Sequence, residues 1–289
     1  MTQTLQTTPT PVEVKPPQRA SRRRFRPAIV IPSAVVGFLI VATIAPGIIA
    51  SGDPLAMEPA NAFASPTFAH PFGTDESGRD VFTRVIHGAR NSLSIGLMAT
   101  VIGVGLGLVL GVIAGWGSKV VDFGVNRVLE VLFAFPSLLL ALLVITILGP
   151  GEIAITLAVG LSTAPGYARI IRSQVRSIRA SNYVEASVVQ GHSQGFLIRR
   201  HVLPNVAAPL FVLVTLGVGQ AIVWASSLSF LGLGATPPTP EWGAMLAAGC
   251  GYMSIAWWIT LFPGIFIVLS AAATTILGHS LQQRQKERS

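Results

Sequence analysis

EASVVQGHSQGFLIRRHVLPN, Glu185 to Asn205, is a basic and partly polar insert between two strongly apolar runs, and it cannot itself cross a bilayer. The runs beside it can. Of 289 residues, 51% are hydrophobic and 11% charged, with mean hydropathy +0.63, whereas a soluble domain carries roughly 25% charged residues. The chain therefore reads as an all-α polytopic membrane protein, since a helix satisfies its backbone polar groups within its own segment.

A span needs about 20 mainly apolar residues, and the uncharged intervals predict six, at roughly 28–50, 91–116, 129–149, 152–170, 206–231 and 257–279. The fourth is the weakest, because only the interval from Glu152 to Arg169 lacks charge, and Arg169 must snorkel toward the headgroups. The first follows Arg22, Arg23, Arg24 and Arg26. Its apolar part exceeds the 7 to 15 residues or so of a signal-peptide core, so an uncleaved anchor is expected.

Six spans put both termini on one side. With the termini inside, seventeen Lys and Arg lie in the cytoplasm and three, Arg79, Arg84 and Arg90, lie outside, which predicts cytoplasmic termini. The net charge of +8 thus belongs to membrane-flanking segments. Nucleic-acid binding, which wants one basic domain with stacking aromatics, is not supported. The single Cys250 allows no internal disulfide or cysteine-based metal cluster and reads as a buried, inert thiol.

Residues 1–27 read as a disordered cytoplasmic tail, 28–280 as the transmembrane domain and 281–289 as a second cytoplasmic tail. Segments 51–90 and 233–256 fall outside, and 171–205 forms a cytoplasmic loop. Gly103, Gly107, Gly111 and Gly115 are spaced four apart, which stacks them on one helical face as a packing stripe. Gly149-Pro150-Gly151 marks a tight turn between spans three and four. The run LGLGATPPTPEWG forbids a continuous helix and must reach water or line a cavity.

In the opening stretch, Tyr183 to Gln190 suits a helix and Gly191 a break. A second helix, Ser193 to Val202, should stop at Pro204, with Leu203 forced out of the helical region by the proline after it. Arg169, Arg172, Arg176 and Arg179 share a helical face and serve either as a collar on anionic lipid or as a contact face for a partner. Arg127 and Glu130 should pair near the cytoplasmic boundary. Asp75, Arg79 and Asp80 read as internal ion pairing or a docking element, not a metal site. No phosphate-binding loop is present, since GWGSK lacks its spacing, and no zinc pair or nucleophile elbow is found.

The pattern E-A-S-x3-G-x9-H-V-L-P-N resembles the EAA coupling loop of ABC importer permeases, matching at Glu185, Ala186, Gly191, Leu203 and Pro204. Ser187 replaces the usual alanine, while His201 and Asn205 are similar to the peptide-transporter branch. HPFGTDESGRDVFTRVIHGARNSLSIG (70–96), SLSFLGLGATPPTPEWGAML (227–246) and WWITLFPG (257–264) also resemble the C-type permease of dipeptide and oligopeptide importers. The C-terminal LGHSLQQRQKERS departs from the usual closing motif.

The resemblance implies a type I permease fold of six spans with a cytoplasmic coupling helix pair. It implies a heterodimer with a homologous permease in a bacterial inner membrane, two ATPase domains that bind ATP and magnesium, and an extracytoplasmic binding protein. This chain itself would carry no cofactor. Glu185, Ala186, Ser187, Gly191, His201, Leu203, Pro204 and Asn205 would contact the ATPase. Gly73, Thr74, Asp75, Gly78, Arg79 and Asp80 would lie where the binding protein docks. Di- or oligopeptides are the expected cargo, with glutathione, nickel chelates or haem as alternatives. A secondary transporter or channel, or a membrane enzyme or assembly factor, is the rival class.

Overall fold

In the computed structural model, residues 27–286 are described, so the expected tail at 1–27 lies outside them except for Pro27. Among these residues eleven α-helices follow one another: α1 (Pro27–Ile44), α2 (Pro46–Ile49), α3 (Val81–Trp116), α4 (Lys119–Phe133), α5 (Ser137–Leu148), α6 (Glu152–Arg179), α7 (Asn182–Val189), α8 (Gln194–Leu197), α9 (Leu203–Leu228), α10 (Trp242–Cys250) and α11 (Trp258–Lys286). Among the described residues no strand forms, only an isolated bridge between Thr74 and Asp80.

Among the described residues, four helices are long and apolar enough to cross a membrane: Val81–Trp116, Glu152–Arg179, Pro209–Leu233 and Trp258–Gln283. A fifth crossing results if α4 and α5 count as one, but they meet at 91°. The uninterrupted span expected at 129–149 is therefore broken. Pro136 is the cause, because it lacks an N–H and disfavours helical geometry in the residue before it. The apolar helix Ile29–Ile44 is shorter than the crossing helices.

The 36-residue α3 is about 54 Å long at 1.5 Å per residue, longer than the roughly 30 Å hydrocarbon layer. It starts well before the expected position 91, because Asp80 accepts from Thr83 N at 2.8 Å and caps it. Its glycine stripe lies against α6. A methyl at Gly107 would sit 2.5 Å from Tyr167 Cβ, one at Gly111 2.8 Å from Ile171 Cβ, and one at Gly115 2.8 Å from Val175 Cβ. Gly103 meets Thr163 and the Gly160 carbonyl. These four positions let two backbones approach where any side chain would hold them apart.

Among the described residues, three apolar clusters succeed one another along α3. Val85, Ile86, Trp242 and Trp258 fill the first, Ile95, Ile155, Val159 and Leu228 the second, and Ile171, Val175, Val202 and Val206 the third. The Gly149–Gly151 turn joins α5 to α6 with positive φ at both glycines. Within LGLGATPPTPEWG, residues 234–241 form no helix, and α10 follows from Trp242. Cys250, expected to be buried, is exposed at the end of α10, and its neighbour Gly249 takes the packed position against Thr260. Helix α11 continues to Lys286, so the start of the expected tail at 281–289 is helical.

Candidate coupling loop and the outer polar cage

The loop is seated by one face and bare on the other. In α7, Val184 and Ser187 are buried while Glu185 and Ala186 are exposed, and Val189 at the tip is 88% exposed. Gly191 has φ +82 with nothing within 4 Å of a Cβ placed there; it reverses the chain in a conformation that L side chains rarely adopt. Ser193 then caps α8 by accepting from Phe196 N at 3.3 Å.

The Ser187 hydroxyl lies 3.3 Å from both His192 Nδ1 and His201 Nε2, tying α7 to the second half of the loop. His192 stacks on Phe196 at 4.3 Å between ring centroids. Three polar side chains from positions 187, 192 and 201 thus meet in one place. His192 has no local signal for this role in the sequence, because the cluster gathers around Ser187 from residues 5 and 14 positions further along the chain.

The second half of the loop differs from its sequence reading. No helix stops at Pro204. The single turn α8 passes into one π-helical turn, Ile198–Val202, and straight on into α9. Leu203 keeps helical angles, φ −58 and ψ −45, despite preceding a proline. The wider π turn accounts for this, since it displaces the preceding carbonyls that the proline ring would otherwise strike. Leu203, Pro204 and Asn205 lie exposed on the first turn of α9. Leu197, Val202 and Val206 are fully buried, and the latter two pack with Ile171 and Val175 of α6.

Each of the four arginines of α6 makes a contact within the chain, while Arg169, Arg176 and Arg179 stay exposed. Arg172 donates to Asp122 through Nε at 2.6 Å and Nη2 at 2.9 Å, and Arg176 bonds the same carboxylate. Arg179 donates to the Trp116 and Gly117 carbonyls at 2.8 and 3.2 Å, and Arg169 lies over the Phe133 ring at 4.1 Å. Trp116 Nε1 donates to Gln194 Oε1 at 3.0 Å, so the α3–α4 corner also touches the loop. Arg127 and Glu130 pair at 3.1 Å on the exposed side of α4.

On the opposite side, Gly73 to Asp80 close into a knot that consumes most of its own polar atoms. Asp75 accepts from the backbone of Ser77 and Arg79 at 2.9 Å, and its other oxygen lies 3.6 Å from Arg79 and 3.5 Å from Arg84. Thr74 is fully buried; its hydroxyl accepts from Ala64 N at 2.8 Å, and its carbonyl from Trp258 Nε1 at 3.0 Å. Gly73 and Gly78 turn the chain with φ +72 and +75. Asp80 also holds His70 at 3.1 Å.

Beside this knot sits a group that sequence reading missed. Glu241 is 2% exposed. Its carboxylate accepts from Gly243 N and Ala244 N at 2.9 Å, from Ser92 Oγ at 3.1 Å and from Ser229 Oγ. It caps α10 and joins that helix to α3 and to the end of α9. Trp242 completes the joint, donating from its ring to the Val85 carbonyl at 2.8 Å.

This chain belongs to the family described as binding-protein-dependent transport system inner membrane components, whose model matches residues 107–287. It is a transport component. It is 39% identical to the dipeptide transport system permease protein DppC of Alkalihalophilus pseudofirmus, over 86% of this chain and 81% of that one. It is 38% identical to the glutathione transport system permease protein GsiD of Pectobacterium atrosepticum, over 75% of this chain and 72% of that one. Its fold is also similar to an amino acid ABC transporter of known structure, with a TM-score of 0.55 at 16% identity over 70% of this chain and 94% of that one.

Proposed function

We propose that this chain is one permease subunit of an ATP-driven importer that moves di- or oligopeptides, or related small solutes, into the cytoplasm. The observation that carries the coupling part is the loop at Glu185–Asn205. Its buried face is fixed to α6 and α9, while Glu185, Ala186, Val188, Val189 and Leu203 stand exposed, as a rigid knob meant for another protein's groove requires. The relatives named for dipeptide and glutathione transport support peptide-like cargo.

In this reading α1 is the first crossing and the α4–α5 pair the third, which gives six spans in the inner membrane with both termini cytoplasmic. A homologous permease completes a heterodimer. Two ATPase domains bind ATP and magnesium and grip the loop from the cytoplasm. A binding protein delivers cargo on the side of the Gly73–Asp80 knot. ATP binding moves the loop because the ATPases hold it differently in the two states, and only such differential binding shifts an equilibrium.

The test is to tag this chain, purify the assembly from native membranes and reconstitute it in proteoliposomes. ATPase subunits should copurify, and labelled dipeptide should enter only with ATP and the binding protein. Uptake by this chain alone on an ion gradient, without ATP, would overturn the reading in favour of a secondary transporter.

A further inference from the structure

We propose that Asp122 is a positioning residue for coupling: by holding Arg172 and Arg176 it makes the α4–α5 elbow move with α6, so that the loop drives this helix pair as well as the two helices it directly joins. This rests on the importer reading above. Little else holds α4. Of its residues only Leu129 is buried, while Val120, Phe123, Val128 and Val131 are all more than half exposed. An apolar seam like that between α3 and α6 is therefore missing, and the polar contacts are the main mechanical link.

Those contacts are placed at both ends of the helix. Near its start, Asp122 is 13% exposed and takes a two-pronged bond from Arg172, a second guanidinium from Arg176, and Asn126 Nδ2 at 2.9 Å. A bidentate arginine bond fixes orientation as well as distance. At its end, Phe133 lies under Arg169. Both contacts reach the same partner, α6, and flank the stretch from Arg169 to Arg176 that leads directly into the loop.

The motion has a path onward. Helix α4 meets α5 at 91° across Ala134–Pro136, and α5 packs Ala141 and Ile145 into the cluster that contains Ile155, Ala158 and Val159 of α6. Helix α5 is thus gripped by α6 along its length and pulled through α4 at its end. The Trp116 bond to Gln194 gives the α3–α4 corner, at the other end of α4, a direct contact with the loop. A displacement of the loop that rotates α6 must carry Arg172 and Arg176, and with them Asp122.

The experiment uses the whole complex with its ATPases and binding protein in proteoliposomes, and reads labelled dipeptide taken up per ATP hydrolysed. Copurification of the ATPase with the tagged chain reports assembly separately. Asp122→Asn should leave the complex assembled and lower uptake per ATP by at least about fivefold, the lower end of ordinary coupling between distant sites. Asp122→Glu, which keeps the carboxylate, should restore most of it. An unchanged ratio in Asp122→Asn, or an equal loss in Asp122→Glu, would overturn the proposal. If Asp122→Asn fails to assemble, Arg176→Gln removes one of the two guanidinium partners and is read the same way; an unchanged ratio there also overturns it. Failure of the unaltered complex to import with ATP would instead count against the importer reading.

Discussion

Glycine serves opposite purposes in the α3–α6 seam and in the coupling loop. At Gly103, Gly107, Gly111 and Gly115 the backbone is ordinary helix and the constraint is space, since an added methyl would run into the facing helix. At Gly191 space is unlimited and the constraint is the dihedral angle, φ +82. One region is specified by what it touches and the other by how the chain turns. The seam resists any larger residue. The loop should accept one at a modest cost in stability while losing its fit to a partner.

The largest effect should come from Gly107→Leu, which places a branched side chain where even Cβ lies 2.5 Å from Tyr167. Overpacking of this kind costs about 1 to 3 kcal/mol or more, read as a lower melting temperature of the protein in detergent; an unchanged melt would mean that the seam is not packed as described. Next is Gly191→Trp. Forcing an L residue into the left-handed region costs on the order of 1 kcal/mol, so the complex should still assemble. Uptake per ATP should fall by about fivefold or more if the loop is the coupling element, and unimpaired uptake would break the assignment. Gly191→Asn tolerates the dihedral better and should retain more activity, which separates bulk from angle. The smallest effect belongs to Gly105→Ala, on the exposed face of the same helix with nothing within 4 Å. It should be neutral or stabilising by up to about 1 kcal/mol. A loss comparable to Gly107→Leu would erase the distinction between the two faces of α3.

How much of this could be read from sequence depended on how local each cause was. The cores of α3, α6, α9 and α11 were legible as apolar runs, and the stripe of glycines as a periodicity of four. The break before α5 had a signal in Pro136, but the apolar character of the surrounding run outweighed it. At Pro204 the error went the other way, because the local proline rule predicted a stop that a π-helical turn avoids. The arginine face on α6 was visible, yet its partner Asp122 lies 50 residues away from Arg172 in the chain. Glu241 was hidden for the same reason. Its motif read as an irregular segment, and no local pattern reveals that Ser92 is its neighbour.

The Glu241 cage has a consequence for the order in which the protein is made. Ser92 leaves the ribosome 149 residues ahead of Glu241, an interval of roughly 7 to 30 s at common rates of synthesis. Through that time the N-terminal end of α3 has no carboxylate to bind, and Trp242 has not yet arrived to fill the space beside Val85. That end is therefore sealed late, by a residue made long after it, and a nascent chain arrested before position 241 is left with that end open to protease.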